Sequence, residues 1–179
     1  MPKKKKELIK KLPKFYYHPN VYENDIVEFK KGICDCCGKE AKAYLGMMYT
    51  KEHVDCICME CVASGEAAKK FNGSFIEDAE DVSDPKKREE LFSKTPGYVS
   101  WQGEHWLACC DDYCEFIGDA GIKELEKLDS CEEVLKECSK NYDWEYDDLK
   151  RDLTAGGTMA GYLFKCKHCG KYHLYVDLS

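Results

Sequence analysis

The chain has 179 residues, of which 44% are apolar, and it carries 27 basic and 34 acidic side chains for a net charge of -7. This length predicts one domain or two small ones. The composition is too apolar for a disordered acidic tail, and no apolar run approaches the ~18 residues of a membrane-spanning helix. We therefore expect a soluble globular protein.

Charge is distributed unevenly along the chain. Residues 1–14 contain seven lysines and one glutamate, a net charge of +6, which leaves -13 on residues 15–179. Because an acidic body repels phosphate, we expect no nucleic-acid partner, whereas a basic protein partner would suit this charge. We expect no membrane partner, and the sequence leaves the oligomeric state open.

The lysine-rich start resembles the first part of a signal peptide, but Glu7, Lys10 and Lys11 interrupt the apolar stretch that export requires. The expected location is therefore cytoplasmic. In that reducing compartment, 13 cysteines predict metal ligands and buried thiols rather than disulfides.

Turn signals and apolar spacing predict the elements in chain order. Residues 21–31 form a strand or an extended segment, short strands follow at 43–46 and 47–49, and a helix covers 62–71. A charged helix begins at Asp84-Pro85 and ends at Lys94. Two helices run from Ile122, divided at Ser130, and a third covers 146–153. Two strands, at 162–165 and 172–176, flank the last cysteine pair.

The strongest motif is a pair of Cys-x-x-Cys sequences, Cys34 with Cys37 and Cys58 with Cys61, separated by 20 residues. Two thiolates at this spacing fit a tight turn around zinc, and Gly38 allows the left-handed backbone that closes the turn. A redox dithiol would be expected once, in a βαβ setting that is missing here. The four cysteines therefore predict a structural zinc site of the treble-clef type.

A second zinc knuckle is indicated by Cys166 and Cys169, followed by Gly170. A closed zinc site has four ligands, so this pair requires partners. Cys110 and Cys114 would share one face of a helix and are the predicted partners, with Cys109 pointing elsewhere. The alternative is that His168, His173 or Cys109 completes the shell. We expect two zinc ions per chain.

The other cysteines have simpler interpretations. Cys131 and Cys138 lie on the apolar face of a predicted helix and are expected in the core. Cys36 and Cys56 adjoin presumed ligands, so either one, like Cys109, could replace an assigned ligand.

The chain resembles the CbrC family, an uncharacterised bacterial group linked to colicin tolerance. The resemblance covers most of the chain and rests on seven motifs: Leu12-Pro13-Lys14-Phe15, Cys34-x-Cys36-Cys37-Gly38, Cys58-x-x-Cys61-x-x-x-Gly65, Thr95-Pro96-Gly97-Tyr98, Trp101-Gln102-x-Glu104-x-Trp106, Cys110-x-x-x-Cys114-x-x-x-Gly118, and Gly161-Tyr162-Leu163-Phe164-x-Cys166-x-x-Cys169-Gly170. It implies a bacterial cytoplasmic protein without an established activity. Cys109 departs from the histidine expected before the paired cysteine.

Three functions compete. Four-thiolate zinc has no open position for water, which favours a non-catalytic protein-binding module. An immunity-like inhibitor of a colicin or other basic toxin would agree with both the acidic body and the resemblance. An enzyme would use Glu104 and His105 in an aromatic pocket, but adjacent residues point apart on a strand, so we expect no catalysis.

The predicted fold class is α+β, with two zinc-stapled modules of treble-clef or zinc-ribbon type and a helical insertion. The predicted divisions are a basic arm at 1–14, an N-terminal zinc module at 15–76, an acidic linker and helix at 77–97, and a C-terminal zinc module at 98–179. The helical insertion occupies about 118–154 of the last module.

Overall fold

The computed structural model describes residues 3–179 and shows a mixed α/β chain. Its helices are α1 (Lys3–Ile9), α2 (Met59–Ala63), α3 (Glu66–Phe71), α4 (Pro85–Lys94), α5 (Ile122–Leu125), α6 (Cys131–Tyr142) and α7 (Tyr146–Asp152), with one 3₁₀ turn at Val21–Glu23.

Residues 3–179 also form twelve short strands. They are β1 (Val27–Glu28), β2 (Gly32–Ile33), β3 (Glu40–Ala41), β4 (Tyr44–Leu45), β5 (Ile57–Cys58), β6 (Asp78–Ala79), β7 (His105–Trp106), β8 (Ala108–Cys109), β9 (Asp112–Tyr113), β10 (Glu115–Ala120), β11 (Met159–Lys165) and β12 (Tyr172–Leu178).

The N-terminal half is built from very short antiparallel pairings. Strands β1, β4 and β5 form one three-stranded sheet in that order, and β2 pairs with β3 to make a separate hairpin. Two-residue strands supply few ladder hydrogen bonds, so the stability of this half depends on side-chain packing. Its core contains apolar side chains such as Val21, Leu45 and Ile57, together with the buried cysteines 34, 56, 58 and 61.

The C-terminal half is organised by the antiparallel sheet β10-β11-β12. Strands β11 and β12 are paired over seven residues, from Met159 opposite Leu178 to Lys165 opposite Tyr172. Helix α6 packs against β12. Val134, Leu135 and Cys138 on this helix are buried, with apolar residues of the sheet on the other side of the contact.

A cluster of buried aromatic side chains forms a core of its own. Tyr98, Trp106, Phe116 and Phe164 are buried together, and the rings of Tyr98 and Phe116 stack with centroids 4.4 Å apart. Tyr17, from the N-terminal segment, belongs to the same cluster. Large rings bury much apolar area for each ordered side chain, so they provide a compact core between short elements.

Most of the helix and strand predictions are confirmed. Helix α4 begins as expected, because the Asp84 side chain accepts from Lys86 N at 2.9 Å, and it ends at Lys94. The helices after Ile122 divide near Ser130, and α7 follows at the expected place. The single helix expected at 62–71 is instead two helices, because Gly65 adopts a φ of +75° between them.

The prediction that a helix carries Cys110 and Cys114 is wrong. The chain forms a β8–β9 hairpin instead, with Cys109 opposite Asp112 and with Cys110 and Asp111 both at positive φ. This is the backbone twist of a tight two-residue hairpin turn. Aspartate tolerates the left-handed region better than most residues, which helps to explain the turn at this place.

Among the described helices, every one is too short or too polar to cross a bilayer.

Candidate metal centres

Four cysteines of the N-terminal half lie together in the arrangement expected from their spacing. The sulfur atoms of Cys34, Cys37, Cys58 and Cys61 are all within 4.8 Å of one another. The Cys37 and Cys58 sulfurs are 3.8 Å apart. Four sulfurs bound tetrahedrally to one ion at about 2.3 Å would be separated by roughly 3.8 Å, so the group could hold a metal ion.

Local backbone geometry explains how Cys34 and Cys37 are presented. The β2–β3 hairpin brings the chain into the turn, and Gly38 N donates to Cys34 O at 2.7 Å. Gly38 has a φ of +73°, and a Cβ there would have nothing within 4 Å. Glycine is therefore required by the left-handed backbone and not by lack of space.

Strand pairing then brings the second cysteine pair to the first. Cys58 ends β5 opposite Tyr44 of β4, and its N–H points to the Cys34 sulfur at 3.2 Å. Cys61 lies in α2, which follows immediately. A hydrogen bond from a backbone N–H stabilises a thiolate, and the pKa of Cys34 is accordingly lowered although burial alone would raise it.

Two polar side chains clamp the turn from outside. The Asp35 carboxylate accepts from the N–H groups of Asp55 and Cys56, each at 2.9 Å. Lys70 on α3 donates to the carbonyl oxygens of Asp35 and Cys36, each at 2.7 Å. The clamp holds residues from three parts of the chain around the sulfur group, and it places a positive charge near a group of potential thiolates.

A second group of four cysteines lies in the C-terminal half. It consists of Cys109, Cys110, Cys166 and Cys169, again with all sulfur atoms within 4.8 Å of one another. The sulfur of Cys109 is 3.7 Å from that of Cys110 and 3.7 Å from that of Cys169. These separations also match the edge of a sulfur tetrahedron around one ion.

The predicted second set differs from this group at one position. Cys114, named there as a ligand, is fully buried beyond the hairpin and is not among the four clustered sulfurs, whereas Cys109 is. The physical reason is the β8–β9 hairpin. A helix would place residues 110 and 114 on one face, but the tight turn brings the adjacent Cys109 and Cys110 to the same sulfur cluster.

The turn that carries Cys166 and Cys169 repeats the geometry of the first knuckle. Gly170 has a φ of +74°, and its N–H donates to Cys166 O at 3.1 Å. The N–H groups of His168 and Cys169 point to the Cys166 sulfur at 3.4 and 3.5 Å. Burial by itself would raise the pKa of the Cys166 thiol. Hydrogen bonds from these N–H groups have the larger combined effect and lower the pKa to about 6.

The two histidines considered as ligands are engaged elsewhere. His168 Nε2 lies 2.8 Å from Asp112 Oδ2, and His173 Nδ1 lies 2.9 Å from Glu137 Oε1. Asp112 is buried and also accepts from the Tyr17 hydroxyl at 2.8 Å. Asp112 was missed from the sequence because a single aspartate in a turn gives no signal of a distant partner.

The remaining cysteines lie outside both groups. Cys138 of α6 is buried in the core, where burial raises the pKa of its thiol to about 12, and Cys131 is partly buried. Cys56 is buried next to Gly32. A Cβ atom added at Gly32 would lie 2.8 Å from the Cys56 sulfur. Cys36 is partly buried beside the first group.

Glu104 and His105 have different surroundings. Glu104 is buried and accepts from the Tyr49 hydroxyl, while His105 Nδ1 lies 2.7 Å from Asp78 Oδ2. Burial raises the pKa of the Glu104 carboxyl. The two adjacent side chains therefore contact different partners.

The comparisons with known proteins give a family without an assigned activity. Residues 12–178 match UPF0167, described as an uncharacterised protein family, and the chain belongs to it. A UPF0167 protein of Pseudomonas aeruginosa is 35% identical over 94% of this chain and 98% of its own length. UPF0167 proteins of Mycobacterium bovis and Mycobacterium tuberculosis are each 32% identical over the full length of both chains. No solved structure matches the chain.

Proposed function

We propose that this UPF0167 chain binds two structural zinc ions and that it acts as a non-catalytic module that binds a basic protein. The observation that carries the metal assignment is the spacing of the sulfurs. In each group, four cysteine sulfurs lie within 4.8 Å of one another, and the separations of 3.7 to 3.8 Å suit zinc–sulfur bonds of about 2.3 Å.

The donor set favours zinc or iron over ions that prefer oxygen ligands. Soft thiolates in a tetrahedral arrangement select zinc or iron, whereas magnesium and calcium prefer oxygen. Four thiolates also close the coordination shell, so the ion would have no open position at which to activate water. The first site, with a knuckle, paired strands and a ligand pair at the start of a short helix, is proposed to be of treble-clef type.

Metal binding at such sites would account for the stability of a chain with very short strands. Structural zinc contributes on the order of 10–16 kcal/mol in finger peptides, which is comparable with the stability of a whole domain. The proposed role of the metals is therefore to hold the fold, and the function lies on the surface.

The metal proposal is tested by native mass spectrometry of the purified chain, followed by chelation monitored by circular dichroism. We expect two zinc ions per chain and cooperative loss of structure when both are removed. A chain that holds no zinc, or that keeps its fold and thermal midpoint after complete chelation, would contradict the proposal.

The basic partner is supported by charge. Residues 15–179 carry a net charge of -13, and a surface of one sign steers a partner of the opposite sign. Immobilised zinc-loaded chain should enrich proteins of basic isoelectric point at ~0.1 M salt and release them as the salt rises, because screening weakens exposed charges. Enrichment of nothing basic, or of partners insensitive to salt, would count against this part of the proposal.

A further inference from the structure

A cleft of about 400 Å³ lies beside the loop that precedes β7. Its lining includes Met47 and Tyr49 from the segment after β4, and Val99 and Trp101 from the loop. All four side chains are exposed although they are large and apolar or aromatic. Neighbouring exposed apolar side chains around a concavity are typical of a binding site.

Trp101 is held in position although it is not packed in a core. Its indole Nε1 donates to Gly157 O at 2.9 Å, and its backbone N donates to Asp177 Oδ2 at 3.0 Å. Asp177 is only 3% exposed, whereas Trp101 is 56% exposed. The buried carboxylate and the indole hydrogen bond therefore fix an aromatic ring at the surface, where a ligand can reach it.

Two carboxylates line the cleft. Glu104 is 7% exposed and accepts from Tyr49, while Glu77 is exposed. Gly97 and Gly103 lie against these two carboxylates, so closely that a Cβ at either glycine would collide with one of them. The two glycines of this loop therefore leave space for both acidic side chains in one cleft.

The charge of this cleft is not balanced by its own lining. Among the described residues that line it, none is lysine, arginine or histidine. Two kinds of interaction would attract a cation to such a site. The carboxylates form ion pairs with it, and the aromatic rings attract it through their negative faces. The apolar side chains at the rim would contact a nonpolar group attached to that cation.

We propose that this cleft binds a small organic ammonium ion that carries an apolar body. The ammonium group lies between Glu77 and Glu104, and the apolar body lies against Trp101 and Met47. This inference goes beyond the proposed function, because it assigns a small-molecule site that involves neither cysteine group and no protein partner.

To test this, the zinc-loaded full chain is titrated with phenethylammonium and, separately, with 2-phenylethanol. Binding is measured by calorimetry and by shifts of the indole N–H signals in NMR spectra. The two compounds share a ring and chain length but differ in charge. We expect the ammonium to bind about tenfold more tightly, because only the ammonium makes cation–π and ion-pair contacts. Equal affinity of the two compounds, or no binding of either, would overturn the proposal.

Two variants locate the site. Trp101→Ala and Glu77→Gln change exposed side chains, so the fold should persist, and each should weaken phenethylammonium about fivefold or more. Glu89→Gln removes one exposed charge of α4 outside the cleft and should leave the affinity unchanged. Wild-type affinity in both cleft variants, or an equal loss in Glu89→Gln, would show that binding is not at this place.

A lysine side chain of a protein offers the same ammonium chemistry, and a third ligand separates the two sources. Nα-acetyl-lysine amide has the ammonium without the aromatic body. It should bind more weakly than phenethylammonium if the cleft is a small-molecule site, and tighter binding of the lysine compound would overturn that assignment.

Discussion

Asp112 and His168 join the two segments that supply the second sulfur group. Asp112 Oδ2 lies 2.8 Å from His168 Nε2. Asp112 follows Cys109 and Cys110 in the β8–β9 hairpin, whereas His168 stands between Cys166 and Cys169 in the knuckle. The pair therefore ties together the four sulfur-bearing residues from outside the sulfur cluster, with Asp112 itself buried.

Asp112→Asn should weaken the metal site of the C-terminal half by about tenfold, because residues that support ligands typically contribute 10- to 100-fold in affinity. The measurement is competition for zinc with a chromophoric chelator. Asp78→Asn is the matched control, since Asp78 makes a comparable contact of 2.7 Å with His105 away from the sulfurs. Equal affinities of the Asp112 variant and the wild type would contradict this supporting role.

Cys109→Ala and Cys114→Ala should have opposite consequences for metal content. Removal of Cys109 deletes one of the four clustered sulfurs, so we expect one zinc per chain. Removal of Cys114 leaves the cluster complete, so we expect two, with a small loss of stability from the buried space. Elemental analysis of the purified variants gives the answer. The reverse pattern would show that the second site uses Cys114.

Metal should leave the two groups at different rates. Three cysteines of the first group are buried, namely Cys34, Cys58 and Cys61, whereas only Cys166 is buried in the second. A chelator reaches exposed sulfurs more easily, so zinc release into excess chelator should be biphasic, with the C-terminal site emptying first. In Cys109→Ala the fast phase should disappear. Loss of the slow phase instead would invert the assignment.

His18 should make the protein less stable below neutral pH. It is fully buried, with Nδ1 2.9 Å from Pro96 O and Nε2 2.8 Å from Asn24 Nδ2, so Nδ1 donates and Nε2 accepts in the neutral ring. Burial lowers its pKa to about 4 from the ordinary 6.5. The unfolded chain therefore binds the proton more readily, and stability is lost as the pH falls from about 6.5 towards 4, by up to about 3 kcal/mol.

Urea denaturation between pH 7 and pH 4.5 measures this effect. His18→Gln should be less stable at pH 7, but its stability should fall less steeply with acid than that of the wild type. His53→Gln is the control, because His53 is exposed and its removal should leave the slope unchanged. A slope in His18→Gln identical to that of the wild type would refute the assignment.

The sequence predicted those parts of the site whose conformation depends on residues adjacent along the chain. Both knuckles follow from a Cys-x-x-Cys pair and a glycine that can adopt positive φ, as Gly38 and Gly170 do. Helix α4 follows from its capping aspartate and proline. The hairpin at Cys109 was missed because Cys110 and Cys114 are also four residues apart, a spacing that suits a helix face, and the adjacent Cys109 carried no periodicity.

By itself, the sequence determined that this chain contains cysteine turns shaped for a metal, since such a turn needs only a few consecutive residues and their backbone angles. Only the tertiary structure decided which sulfurs meet, that Asp112 reaches His168, and that Trp101 lines one cleft with two carboxylates. These contacts join residues dozens of positions apart. They depend on strand register and on the packing of the aromatic core, which joins segments far apart along the chain and which no local spacing records.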